Sequence, residues 1–206
     1  DVEFEGVDFI DTFFEGEKEY EKLINKDNTA EIWKTVEEAL DRYDELTAEG
    51  AFGEAGTELT NACYSVIRKQ SPSTVVETGV CNGVSTLFSL KALAENENGC
   101  LYSVDYPYRA NESLEEFRNE TFDQYGGAAI PSDKQPGWIV PNDLRTRWNL
   151  KLGKSQLQIP PLLEDLDEVD LFIHDSEHFH PCMMFEYEMA WHYMTSGGVI
   201  LSDDIG

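Results

Sequence analysis

The chain has 206 residues, 41% apolar and 12% aromatic, which suits one globular domain and excludes a disordered acidic segment. Its 41 acidic residues against 15 basic ones leave a formal charge of −26. Such a surface repels phosphate backbones and anionic lipid, so neither nucleic acid nor a membrane is expected as a partner, and no apolar run approaches a bilayer span.

The acids are spread along the whole chain. That pattern suits a halophilic, salt-loaded cytoplasm, where screening relieves self-repulsion; an ordinary acidic protein is the alternative. Cys63, Cys81, Cys100 and Cys182 form no CxxC pair, and reduced thiols in a cytoplasmic protein are expected. No signal peptide is visible, although the chain starts without Met and stops at Gly206 directly after a strand, so both ends are open to trimming.

Residues 1–28 are acidic and carry Phe4, Phe9, Phe13 and Phe14, an irregular arm or short helix that packs its rings on the main body. A helix follows, capped by Asn28 or Thr29, with Ile32, Val36, Leu40, Tyr43 and Leu46 at helical spacing and Gly50 as its stop. A second helix covers 55–70. The period then changes to short apolar strands alternating with helices: strand 75–80, helix 85–94, strand 100–105, strand 150–152, helix 160–166, strand 170–174, helix 181–194 and strand 198–202. Residues 106–148 form an insertion with a helix at 113–124 and a Pro- and Gly-rich loop after it. The expected fold is α/β: a Rossmann-like, doubly wound, mostly parallel sheet with helices on both faces, plus N-terminal helices. Residues 1–54 are expected as a helical arm and 55–206 as the main domain, with 106–148 as a lid-like insertion.

Ligands of open α/β sheets bind beyond the carboxyl ends of the strands, and here every strand ends in polar groups. The first runs into Glu77-Thr78-Gly79-Val80-Cys81-Asn82-Gly83-Val84-Ser85, the second ends in Asp105 and the third in Gly153-Lys154-Ser155. The fourth ends in Asp175-Ser176-Glu177-His178 and the fifth in Asp203-Asp204. The G-x-x-x-G spacing of Gly79 and Gly83 is not the dinucleotide fingerprint, and it is equally at home in a plain turn. Glu77 would repel a pyrophosphate and attract the amine and sulfonium of S-adenosylmethionine. Asp105 can accept hydrogen bonds from both ribose hydroxyls, or simply end a strand. Asp175, Asp203 and Asp204 would sit close together on neighbouring strands, where Mg²⁺ would relieve their repulsion. Alternatively, the Asp pair caps the next element. His178 stands beside these acids and could take a hydroxyl proton. A zinc site from His174, Asp175, His178 and His180 is a weaker alternative.

Together Glu77-x-Gly79-x-x-x-Gly83-x-Ser85, Asp105, Asp175-x-x-His178 and Asp203-Asp204 resemble the class I S-adenosylmethionine-dependent methyltransferases. The match is to the small-molecule branch known as methyltransferase family 24, related to macrolide-sugar O-methyltransferases and cephalosporin hydroxylase-like proteins. Gly137-Trp138-Ile139-Val140-Pro141 and Phe172-Ile173-His174-Asp175-Ser176-Glu177-His178 also look typical of it. The resemblance covers about residues 55–206. It implies a cofactor site in which Glu77, Gly79, Asn82, Gly83 and Ser85 hold the methionine portion, Asp105 the ribose, and Gly153, Lys154 and Ser155 lie near the adenine. It implies a metal site at Asp175, Asp203 and Asp204, with His178 as the base beside Asp175. The family's acid pair is usually Glu-Asp where this chain has Asp-Asp, and the family's sixth and seventh strands have no counterpart here.

The expected activity is metal-assisted O-methylation of a small-molecule acceptor such as a sugar or phenol. Trp138 and Trp148 in the insertion either cover that acceptor or pack. A homo-oligomer is compatible with this reading. The rivals are a non-catalytic ligand- or partner-binding domain on the same fold and a nicotinamide-dependent oxidoreductase, with a hydroxylase-like role more distant.

Overall fold

The computed structural model describes residues 9–24, 26–42, 57–121 and 129–203. In chain order these form α1 (Phe9–Phe13), α2 (Glu17–Leu23), α3 (Lys26–Leu40), α4 (Thr57–Gln70), β1 (Thr74–Thr78), α5 (Val84–Glu95), β2 (Cys100–Asp105) and β3 (Tyr108–Arg109). There follow α6 (Leu114–Thr121), β4 (Ala129–Ile130), a 3₁₀ turn at Leu144–Arg147, β5 (Trp148–Leu152), α7 (Ser155–Leu166), β6 (Val169–His174), α8 (His180–Trp191) and β7 (Met194–Ser202). The main sheet is five-stranded in the order β5-β2-β1-β6-β7. Every pairing in it is parallel, and helices cover both faces, as the apolar strand runs require.

Alternation along the strands sorts two cores. Val75, Leu101, Leu171 and Ile173 face one way, onto Cys63, Val66 and Ile67 of α4 and Leu87, Phe88 and Leu90 of α5. Val76, Val104 and Phe172 face the other way, onto Ile159, Leu162 and Leu163 of α7 and Ala190 of α8. Helix α5 is apolar almost all round because it lies between the sheet and outer helices; Trp33 of α3 packs on Phe88 at 5.0 Å. Ile32 and Val36 of α3 join the same core, and Phe14 is buried near the α1–α2 junction. All four cysteines are free. Among the described residues no helix is long and apolar enough to cross a membrane.

Several boundaries differ from expectation. Helix α3 begins at Lys26, before the expected Asn28 or Thr29 cap, and its expected continuation through Tyr43 and Leu46 lies outside the described residues. Helix α7 begins at Ser155, so Pro160 and Pro161 lie inside it; the Leu157 and Gln158 amides start the helix on Lys154 O, at 2.9 and 3.1 Å. Strand β5 opens at Trp148, paired with Leu101, because the insertion returns to the sheet earlier than its loop-like composition suggests. Helix α8 stops at Trp191, and β7 runs from Met194, longer than the apolar stretch alone implies. The insertion also closes a small parallel pair, β3 with β4.

Two glycines test how tightly the strand ends fit. Gly79 has φ +82°, and a Cβ there would lie 1.9 Å from the Asp175 carbonyl oxygen, whereas Gly197 has φ +87° and nothing within 4 Å. Gly197→Ala should therefore show only the left-handed backbone cost, about 1–2 kcal/mol. Gly79→Ala should add a backbone collision and cost roughly 3 kcal/mol or more in urea denaturation. Equal losses would contradict the close approach of β1 to β6.

Candidate active site

Past the strand ends the ladder hydrogen bonds continue for one more residue. Gly153 N donates to Asp105 O at 2.9 Å, Gly79 N to Val104 O at 3.0 Å, Asp175 N to Thr78 O at 2.9 Å and Asp203 N to His174 O at 3.0 Å. These bonds align Gly153, Asp105, Gly79, Asp175 and Asp203 in one row along the carboxyl edge. The half-buried Lys154, Ser155, Ser176, Glu177 and His178 follow directly behind it. The order reverses direction between β1 and β6, the switch point at which ligands of open α/β sheets bind.

Asp105 is half-buried at the end of β2, and its Oδ2 accepts from Cys81 N at 3.3 Å, which ties the β1 loop to β2. Burial pushes its carboxyl up to about 6, against the opposing pull of backbone N–H groups from Val80, Cys81 and Tyr106 and of nearby Arg109. Lys154 reaches over the Tyr106 ring at 5.4 Å, so a cation and an aromatic face stand together at this end of the row.

Other expected site residues turn inward. Glu77 is fully buried; its Oε1 accepts from Ser85 Oγ at 2.9 Å, and its Oε2 accepts from Thr86 Oγ1 at 2.8 Å and Ser103 Oγ at 2.7 Å. Its carboxylate is thus occupied by hydroxyls from α5 and β2 and faces away from the edge, because strand alternation puts it on the same side as Val75. Ser85 is committed to that contact. Asn82 is buried, with Oδ1 accepting from Trp138 Nε1 at 2.7 Å and Nδ2 donating to Ala129 O at 3.3 Å. Gly83 lies against the insertion, where a Cβ would come 2.6 Å from Gly137 Cα. The close approaches these glycines permit are therefore to protein backbone.

The two insertion tryptophans pack. Trp148 Nε1 donates to Ser103 Oγ at 2.9 Å with Arg145 over its ring, and Gly137 N donates to Cys81 O at 2.8 Å. A cavity of about 470 Å³ lies between α3 and residues 134–145, and no strand-end residue lines it.

On the opposite face of β1 lies a network that sequence reasoning missed. Glu186 of α8 is fully buried and accepts from Thr78 Oγ1 at 2.6 Å, from Ser176 Oγ at 2.9 and 3.0 Å and from His174 Nδ1 at 2.9 Å. The signal was its helical register with buried Ala190 four residues on. His174 is thereby turned toward α8 instead of joining Asp175 and His180 around zinc. Asp175 and Asp203 stand at the ends of adjacent strands, and Asp204 lies outside the described residues. Among the described residues no three His, Cys, Asp or Glu side chains are grouped to hold a metal ion.

A methyltransferase-domain family model matches residues 76–205, more than half of the chain. Among curated protein sequences none matches. An O-methyltransferase from Bacillus cereus in complex with S-adenosylhomocysteine has a similar structure, with TM-score 0.53 and 13% identity over 94% of this chain and 74% of that one. A methyltransferase from Podospora anserina with S-adenosylhomocysteine bound aligns with TM-score 0.50 and 13% identity, over 84% of this chain and 61% of that one.

Burial raises the Glu77 carboxyl from 4.5 to about 7, partly offset by its Ser103, Thr86 and Ser85 hydrogen bonds. The folded state thus holds this proton more tightly than the unfolded chain. The stability it contributes is full below pH 4.5 and is lost as pH rises through about 7. Glu77→Gln should flatten the fall in unfolding free energy across that window, measured by denaturant titration; an unchanged slope would contradict the assignment.

Proposed function

This chain belongs to that methyltransferase-domain family, and we propose that it transfers a methyl group from S-adenosylmethionine to a hydroxyl oxygen of a small molecule, of the sugar or phenol type. The observation that carries this reading is Asp105, a half-buried carboxylate in the row at the carboxyl edge of the sheet, the position from which a carboxylate would accept from a ribose diol. When bound, S-adenosylmethionine would supply an electrophilic methyl group on its sulfonium.

The residues divide the remaining work. Asp105 would bind the ribose hydroxyls, the Gly79–Cys81 backbone would meet the methionine portion, and Gly153, Lys154 and Ser155 would lie along the adenine. Glu77, Asn82, Gly83 and Ser85 act one step removed, by fixing the shape of the β1 loop. His178 would take the acceptor's hydroxyl proton on a ring nitrogen, and the site would hold oxygen, methyl and sulfur in line while excluding water. Asp175 and Asp203, with Asp204, are hard oxygen donors of the kind Mg²⁺ prefers, and the ion would lend Lewis acidity to the acceptor oxygen.

The same reading places the protein in a salt-loaded cytoplasm, acting on a small molecule and not on nucleic acid or membrane, and it leaves homo-oligomerisation compatible. A charge of −26 gives the folded state strong self-repulsion. The melting temperature should climb as KCl is raised to molar levels; a fall would contradict the halophilic reading.

Calorimetric titration of S-adenosylmethionine and S-adenosylhomocysteine, with and without Mg²⁺, tests the central proposal. Micromolar binding is expected, weakened about tenfold or more by Asp105→Ala through loss of charge-assisted hydrogen bonds. Absence of binding by the folded protein would overturn the proposal in favour of a binding domain, and NADH binding in its place would favour the oxidoreductase.

A further inference from the structure

The chain carries 41 acids against 15 bases, so a surface chosen at random is acidic. The cavity of about 470 Å³ between α3 and residues 134–145 reverses that balance: its charged lining is Arg42, Lys134 and Arg145 against Glu38 alone. Glu38 is exposed and pairs at 3.7 Å with Lys34, which does not line the cavity.

Arg145 is the most firmly held of the three cations. Its Nε donates to Val140 O at 3.0 Å and its Nη2 to Gly137 O at 2.7 Å, while the guanidinium carbon stands 5.1 Å from the centre of the Trp148 ring. Two carbonyls and a ring fix the guanidinium plane without neutralising it. Among the described residues no carboxylate pairs with Arg145, or with Arg42, which lies two residues past α3. Partial burial draws the Arg145 guanidinium below its ordinary pKa, as expected of a cation that has lost water and gained no counter-charge. Lys134 keeps Asp133 at 3.1 Å and adds a third positive charge.

The other half of the lining is apolar. Trp138 is half-buried there beside buried Ile139, and its Nε1 is anchored on Asn82 Oδ1 at 2.7 Å. The volume lies in the range of small-molecule pockets, so a bare inorganic ion would leave most of it to water.

We propose that this cavity is a second ligand site, for a small organic oxyanion whose charged group meets Arg145 and Arg42 and whose ring or hydrocarbon part lies on Trp138 and Ile139. A guanidinium held along one edge presents its remaining N–H groups equally well to a carboxylate and to a phosphate monoester, so the shared chemistry is the oxyanion. The inference stands apart from methyl transfer, because no residue of the strand-end row lines the cavity.

The test is titration of the full chain with benzoate, phenyl phosphate, inorganic phosphate and, as an uncharged control, benzamide. Calorimetry gives the affinities, and the indole N–H resonances of ¹⁵N-tryptophan-labelled protein, assigned with Trp138→Phe, give the place. At least one aromatic oxyanion should bind and move the Trp138 resonance, and the tighter of the two identifies the preferred group. Benzamide and inorganic phosphate should each bind about tenfold or more weakly, and Arg145→Gln should weaken the oxyanion by a similar factor. Arg145 also supports its own loop, so Arg42→Gln, at an exposed side chain, provides the second variant and should weaken binding as well. No oxyanion binding at millimolar concentration would overturn the proposal. So would benzamide or inorganic phosphate binding as tightly as the aromatic oxyanions, an affinity unchanged by Arg42→Gln, or displacement of the oxyanion by S-adenosylhomocysteine.

Discussion

One carboxylate sealed against the sheet organises the region beneath the strand ends. Glu77 draws hydroxyls from Ser85 and Thr86 of α5 and from Ser103 of β2, and Ser103 in turn accepts from Trp148 of β5. Four elements are thus tied to one buried group just below the carboxyl edge. Removing the carboxylate would leave three buried hydroxyls to find new acceptors, at about 1–3 kcal/mol for each that fails. The cost of burying it appears as a raised carboxyl, and the benefit is a loop whose start cannot drift.

The next residue does the same work on the other face. Thr78 points away from Glu77 and donates to Glu186 on α8, so β1 is clamped from both sides at its last two positions. Gly79 then leaves in a left-handed turn that no side chain could share with the Asp175 carbonyl. A site built on such rigid strand ends is preorganised: the groups along the row are half-buried, while the Glu77 and Glu186 carboxylates beneath them are held by protein hydroxyls.

The architecture was legible in the sequence because buried parallel strands read as apolar runs, and Val75–Val80, Cys100–Asp105 and Asp170–His174 each found its strand within a residue or two. The row of polar strand ends was legible for the same reason. Side-chain direction was harder. Counting by two from Val75 places Glu77 under α5, where it accepts from Ser85, and its acidity alone did not show that direction. Nothing in composition separates Glu186 from the chain's other acids, and only its register with Ala190 marks it as buried. The early start of β5 was hidden because Trp148 follows a loop-like segment and is fixed there by its own bond to Ser103 Oγ and by Arg147 on the Gly99 carbonyl, long-range contacts no local pattern encodes.

The most direct test of the account is a crystal structure of the protein with S-adenosylhomocysteine. The account predicts the ligand across the β1–β6 switch point, its ribose diol on Asp105 and its thioether in line with His178. A ligand seated instead in the cavity between α3 and residues 134–145, with the strand ends untouched, would contradict it.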